Sequence, residues 1–200
     1  MEIHLISSGR QALNQFACIA SKVEPYVRYI HLREKSRTAK ELMSGIHHLT
    51  DQGVPLSKII INDRADVAHV AGACGVQLAY HSLSPREVKK VFPVLKVGRS
   101  VHSLEEARRA CEEGADYILY GHIFATGSKP DLKPRGLKEL TRIVDALTVP
   151  VIAVGGIKPE HVAAITATGA SGFAVMTGIT EAHDPLLAIQ SYLEGRSLQK

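Results

Sequence analysis

The sequence predicts a (β/α)8 barrel in a single domain spanning residues 1–200. Three observations point to it. Short apolar runs rich in branched residues alternate with amphipathic stretches, as strands buried on both faces alternate with covering helices. Two hundred residues accommodate eight such units of about 25 residues each, with no linker or change of composition between them. The last two units both end in glycine-containing turns. Units of this kind give a parallel sheet with right-handed crossovers, and eight of them close on themselves. A flavodoxin-like open sheet would use only five.

Glu2 to Ser7 is the first strand, and Ser8-Gly9 leads into an amphipathic stretch from Gln11 to Val23. Val27 to Arg33 is the second strand and Arg37 to Leu49 the second helix. Lys58 to Asn62 carries three successive isoleucines, a composition suited to a buried strand. Arg64 to Ala73 follows as a short helix and Gly75 to Ala79 as a short strand. In Ser84-Pro85-Arg86-Glu87 a serine cap precedes a proline at the first helical position, with a glutamate three residues past the cap, so a helix starts there. Leu95 to Ser100 is the fifth strand, and Ser103-Leu104-Glu105-Glu106 repeats the capping pattern. Tyr117 to Ile123 is the sixth strand and Gly136 to Leu147 the sixth helix. Val151 to Val154 and Phe173 to Met176 are strands seven and eight, and Pro185 to Glu194 is the last helix.

The chain carries a formal charge of +4, with 24 basic and 20 acidic residues. Its cations form no dense run, so a small anionic substrate fits better than a nucleic-acid groove. The three cysteines, Cys18, Cys74 and Cys111, lack a CxxC pairing. An odd count on apolar helical faces predicts reduced core thiols and a cytoplasmic protein. The N-terminus MEIHLISSGRQ looks like a first strand and not a signal peptide, and no apolar stretch is long enough to span a membrane.

In a barrel, functional groups gather at the C-terminal strand ends. Gly155-Gly156 closes strand seven and Thr177-Gly178 closes strand eight. Glycine lets backbone approach a ligand, and helix-start N–H groups attract an anion, so these turns are candidates for a phosphate. Tight connections in any α/β chain use the same glycines. On strand two, His31, Arg33 and Lys35 share a face, and Arg33 could grip a carboxylate or phosphate with two hydrogen bonds. Asn62 and Asp63 end strand three, and Lys96, Gly98 and Ser100 point one way on strand five. Of ten histidines, His122 follows Ile118 and Tyr120 at the end of strand six, a position suited to proton transfer. His4 begins a strand, His31 is the strand-two residue already named, His81 sits near the mouth, and the remaining six lie on or near helices.

Six blocks are similar to the thiamin phosphate synthase superfamily, in that family's order. They are YIHLREK (Tyr29 to Lys35), INDR (Ile61 to Arg64), GRSVHSLEEA (Gly98 to Ala107), GADYILYGHIFATGSK (Gly114 to Lys129), VPVIAVGGI (Val149 to Ile157) and GASGFAVMTGI (Gly169 to Ile179). The resemblance covers almost the whole chain. It implies a (β/α)8 barrel that binds thiazole phosphates, with the phosphate at the glycine turns. Synthases of the family join a pyrimidine diphosphate to a thiazole phosphate, using Mg2+ held between two aspartates. The first matches Asp63, but Leu78-Ala79-Tyr80-His81-Ser82 stands where the family has LGQ-x-D. The family's strand-two glutamine is His31 here, and its Gly-Pro on strand six is Gly121-His122.

These departures resemble the thiazole tautomerase branch (TenI-type proteins), known for metal-free proton transfer. The implied activity isomerises a non-aromatic carboxythiazole phosphate to its aromatic tautomer, with His122 as acid/base and no cofactor or metal. Arg33, Lys35 and Ser100 would meet the substrate carboxylate, and Gly155, Gly156, Thr177 and Gly178 the phosphate. Thr126, Ser128 and Lys129 still resemble the loop that contacts the thiazole phosphate in the synthase. A Mg2+-dependent synthase is the alternative, and a non-enzymatic regulator with a ligand-binding barrel a further one. The family also implies a homodimer, while charge and hydropathy predict neither nucleic acid nor membrane as a partner.

Overall fold

Eight parallel strands close in sequence order, with β8 hydrogen-bonded back to β1. The computed structural model describes residues 1–127 and 131–195. The strands are β1 (Glu2–Ile6), β2 (Tyr29–Leu32), β3 (Ile59–Asn62), β4 (Gly75–Leu78), β5 (Lys96–Val101), β6 (Tyr117–Gly121), β7 (Val151–Val154) and β8 (Gly172–Val175). Between them lie α1 (Leu13–Val23), α2 (Ala39–Asp51), α3 (Ala65–Ala71), α4 (Pro85–Val91), α5 (Leu104–Glu112), α6 (Gly136–Ala146) and α7 (Val162–Ala167). A single turn, α8 (Thr177–Thr180), and α9 (Pro185–Glu194) follow β8. This is the predicted (β/α)8 barrel.

Helix starts follow the side chains expected to set them. Ser84 accepts from the Glu87 N–H at 3.3 Å, and the Glu87 carboxylate accepts from the Ser84 N–H at 2.8 Å. Ser103 caps α5 through the Glu106 N–H at 3.1 Å. Each such pair satisfies N–H groups that a helix leaves open at its first turn.

Period-two alternation divides the strand residues between two packing layers. Ile3, Leu5, Ile30, Leu32, Ile118 and Phe173 face outward into the main core against the helices. Ile6, Tyr117, Leu119, Ile152 and Ala174 fill the barrel interior, with Val154 and Met176 packed against them. The interior also holds His4, His31 and Gln77, each no more than 3% exposed.

Strand ends differ from the sequence expectations in two places that matter for the site. β2 stops at Leu32, so Arg33 and Lys35 stand on the loop beyond it. β6 stops at Gly121, and the Gly121–His122 peptide is cis. Ile118 and Tyr120 pack outward with the helices, while His122 turns into the mouth. The alternation that grouped the three therefore ends with the strand. α3 is also shorter than expected, closed by left-handed Gly72. The cysteines are not core thiols. Cys18 is exposed on α1, and Cys74 and Cys111 are half-buried, Cys111 against the edge of the main core. Among the described residues no helix is long and apolar enough to cross a membrane.

Removing most of a side chain from the sealed layer should be felt strongly. Ile118→Ala, at a fully buried position, is expected to cost about 2–5 kcal/mol in chemical denaturation. Val94→Ala, at a residue 79% exposed, should stay within about 0.5 kcal/mol of the parent.

Candidate active site

The C-terminal mouth of the barrel opens into a cavity of about 320 Å³. The loops after β2, β4, β5, β6, β7 and β8 all reach it, and Ile6, Leu119 and Ala174 give its floor an apolar part. Of the site residues read from the sequence, His122, Arg33, Lys35, Ser100 and Thr126 line this one cavity, as do Gly155, Gly156, Thr177 and Gly178. The structure thus brings together nine of the eleven. Ser128 and Lys129 lie outside the described residues.

His122 is held from several directions. Its side chain is buried, and its Nε2 donates to the Leu132 carbonyl at 3.0 Å. A carbonyl can only accept, so Nε2 carries the proton there and Nδ1 is the nitrogen left for a ligand. The backbone N–H groups of Arg135 and Gly136 donate to the carbonyls of His122 and Ile123 at 2.9 and 3.1 Å. On the other side, Ile123 and Phe124 donate to Val154 and Gly155 at 3.0 Å each.

That pairing explains the glycines better than a ligand alone does. A Cβ on Gly155 would lie 2.3 Å from the Cβ of His122, and one on Gly156 would lie 2.3 Å from the Ala125 carbonyl oxygen. Both residues also have positive φ, 98° and 66°. Only glycine fits where two backbone segments press together in a left-handed conformation. At β8, Ile179 and Thr180 donate to the Met176 carbonyl at 3.1 and 2.9 Å. The preceding N–H groups, of Thr177 and Gly178, are the kind that the start of a helical turn leaves without an internal acceptor.

Arg33 is positioned through its backbone N–H, which donates to Ser7 Oγ at 2.8 Å. Partial burial lowers its guanidinium from the ordinary value, and the neighbouring Glu34 carboxylate pulls it back up. A partly dehydrated guanidinium makes stronger hydrogen bonds to a carboxylate than one in open water. Ser100 accepts from the Gln77 amide at 3.0 Å. Gln77 and the Ser7 and Leu132 contacts were not among the sequence candidates. The alternation that puts Gln77 inward on β4 was readable, but a carbonyl contact from an irregular loop leaves no trace in side-chain identity.

The corner at Asp63 differs from a two-carboxylate metal site. Ser82 Oγ donates to Asp63 Oδ1 at 2.5 Å, and His81 Nε2 lies 3.7 Å from Oδ2. Ser82 occupies the position that the family resemblance gives to a second aspartate. A hydroxyl is a neutral and weaker ligand for a hard cation. Among the described residues no three His, Cys, Asp or Glu side chains group to hold a metal. The residues present do not fit the magnesium site of the synthases.

Beneath the mouth, His31 and His4 touch inside the barrel, Nε2 to Nδ1 at 3.0 Å. Burial lowers the pKa of both rings, that of His31 strongly.

A model of the family described as thiamine monophosphate synthase (TMP-TENI) matches residues 3–179. The chain belongs to that family. A thiamine-phosphate synthase from Anaeromyxobacter dehalogenans is 40% identical over 193 residues, which cover 90% of this chain and 87% of the relative. One from Caldivirga maquilingensis is 37% identical over 172 residues, covering 84% of this chain and 83% of the relative. In structure the chain is similar to the thiamine phosphate pyrophosphorylase from Pyrococcus furiosus. The TM-score is 0.84 at 27% identity, with 98% of this chain and 96% of that one covered. Both of these relatives carry the name of the synthase, the alternative to the tautomerase read from the sequence.

Two outcomes are expected from this geometry. Gly155→Ala should cost at least ~1–2 kcal/mol from the left-handed backbone alone, and should shift the imidazole NMR signals of His122. Unchanged signals would show that His122 does not rest on Gly155. The buried histidines set the second. Their folded pKa values lie below the ordinary 6.5, so below that pH the unfolded chain binds protons that the folded chain does not. Stability is fully present above about pH 6.5 and falls with pH below it, at up to roughly 2.7 kcal/mol per unit for two groups. Denaturant titrations of the parent and of His31→Gln between about pH 7 and 5 check this, and the variant should have about half the slope.

Proposed function

We propose that the barrel mouth binds a carboxythiazole phosphate and isomerises its non-aromatic tautomer to the aromatic one, the activity of a thiazole tautomerase. Family membership supports the broader assignment to thiamin biosynthesis. The observation that carries the finer reading is His122, set in the cavity wall with Nε2 committed to the Leu132 carbonyl and Nδ1 left over.

The reaction breaks a C–H bond at the ring carbon bearing the carboxylate and makes one at the exocyclic carbon. Protonated His122 delivers the second proton from Nδ1, a step of a kind typically worth ~10²–10⁴ in rate. Arg33 clamps the substrate carboxylate, with Lys35 and Ser100 beside it. The N–H groups around Gly155, Gly156, Thr177 and Gly178 take the phosphate, with Thr126 beside them on the loop after β6. The apolar floor keeps water from the reacting carbons. Aromatisation drives the step, so no metal or cofactor enters it. The partner is a small molecule, with neither nucleic acid nor membrane required, and a homodimer is the proposed assembly.

The names of the relatives favour a second reading, a thiamine-phosphate synthase that couples a pyrimidine diphosphate to a thiazole phosphate. The Asp63–Ser82 corner speaks against it, because a diphosphate carried by Mg2+ would meet one carboxylate there and not two.

Incubation with the non-aromatic tautomer under chelation, followed by absorbance, distinguishes the two. The isomerase reading expects metal-free turnover that His122→Ala cuts at least about tenfold while the far-UV spectrum is kept. Absence of turnover, with Mg2+-dependent consumption of the pyrimidine diphosphate, would transfer the assignment to the synthase.

A further inference from the structure

Three titratable side chains form a file through the barrel interior that the reaction as written does not use. His31 lines the mouth cavity. Its Nε2 lies 3.0 Å from Nδ1 of His4, and Nε2 of His4 lies 3.4 Å from Oε2 of Glu2. Both imidazoles are 1% exposed. The Glu2 side chain, at the first residue of β1 and so at the opposite end of the barrel, is 42% exposed.

The chemistry of this file fixes where its protons sit. An ionised carboxylate only accepts, so Nε2–H of His4 donates to Glu2. A neutral imidazole has one N–H, so Nδ1 of His4 accepts, and Nε2–H of His31 donates to it. Nδ1 of His31 is left with a bare lone pair, on a ring that borders the cavity. The surroundings favour this arrangement. Arg28 beside β2 and Lys96 on β5 help His4 to keep Glu2 ionised, and both oppose a further cation on His4. The rings of Tyr29 and Tyr117 pack edge-on against His4 at 5.1 and 5.8 Å and hold it in place.

We propose that His31 is the base that takes the proton from the ring carbon, held in its accepting form by His4 and Glu2, while His122 supplies the other proton. The inference rests on the isomerase reading of the same cavity. The C–H bond at the ring carbon breaks and its electron pair becomes a ring C=N bond. The pairs it displaces form the ring C=C bond and a new C–H bond at the exocyclic carbon, which takes its proton from His122. As Nδ1 of His31 gains a proton, that on Nε2 shifts to His4, and that on Nε2 of His4 shifts to Glu2. Charge thus changes at the half-exposed carboxylate and not on buried rings, where desolvation would oppose it. When product leaves, the reverse shift returns the proton to the open cavity, and His122 regains one there. His31 is catalytic in this scheme, and His4 and Glu2 are positioning residues.

The test has one arm without substrate and one with it. In the ligand-free protein near pH 7, nitrogen NMR of His31 should find the proton on Nε2 and none on Nδ1, and Glu2→Gln should disturb that preference. A proton on Nδ1 of His31 in the parent protein overturns the proposal whatever the activity. With the non-aromatic tautomer, His31→Gln should lower kcat about 10²-fold with little change in KM. Deuterium at the ring carbon should then slow the variant more than the parent. Added imidazole should restore His31→Ala about tenfold or more, a recovery that a merely structural histidine would not give. Glu2→Gln, at a half-exposed position that threatens the fold less, should lower kcat severalfold and alter its pH profile. Parental kcat in His31→Gln, or a folded His31→Ala that imidazole does not restore, overturns the role of His31 while leaving the isomerase reading intact. An inactive parent protein would overturn the isomerase reading itself.

Discussion

The contact on which the mouth depends is the approach of the β7 turn to the segment after β6. Gly155 and Gly156 lie where any side chain would strike His122 or the Ala125 carbonyl, and the Ile123 and Phe124 N–H groups bridge the two segments. The arrangement fixes three things at once. It orients the His122 ring, brings the Gly155-Gly156 backbone to the cavity, and closes the seam between β6 and β7 above the last strand pairing. These glycines therefore meet a packing requirement that exists without any ligand, separate from the phosphate contact proposed for them. The proposed anion contact is compatible with that packing, because a backbone bare enough to touch His122 is also bare enough to touch an anion.

Below this layer the barrel is more polar than a core of branched side chains. His4, His31, Gln77 and Tyr117 occupy inward positions on neighbouring or facing strands. Burying such groups is costly unless they find partners. The histidines find one another, and Gln77 finds Ser100. The hydroxyl of Tyr117 and the carbonyl oxygen of Gln77 are buried without a hydrogen-bond partner among the described residues. Polar groups on the barrel axis that lack partners are the kind of local departure expected where an interior has a role besides packing.

Much of this architecture was legible from residue order. Branched triplets such as Ile59-Ile60-Ile61 announced buried strands, and Ser84 with Glu87 announced a helix start, because local chemistry decides those features. Arg33, Ser100 and the glycine turns reached the cavity as expected, since strand ends in a closed barrel converge on one mouth. His122 arrived there by a different path from the expected one. Alternation along β6 would have sent it outward with Ile118 and Tyr120, and it comes inward because pairing stops at Gly121. Irregular backbone has no period, so sequence cannot forecast it from spacing. The His31–His4 pair was hidden for another reason. The contact depends on the register between the neighbouring strands β1 and β2, whose two histidines are 27 residues apart in the chain, and composition does not encode register.

Membership of the thiamine monophosphate synthase family accounts for the scaffold, and the proposed isomerisation rests on the mouth residues that differ from the family pattern. An ion-assisted transfer needs paired carboxylates, whereas a proton shift needs imidazoles and a way to hold the anion. Asp63 with Ser82 and His81 suits the second better than the first. The most direct measurement is to carry out the isomerisation in deuterium oxide with chelator present and to follow the former exocyclic carbon by NMR. A side chain in a fixed position should place a single deuterium on one face of that carbon, giving one stereoisomer. Equal labelling of both faces would mean that solvent and not the site delivers the proton, and would contradict the account.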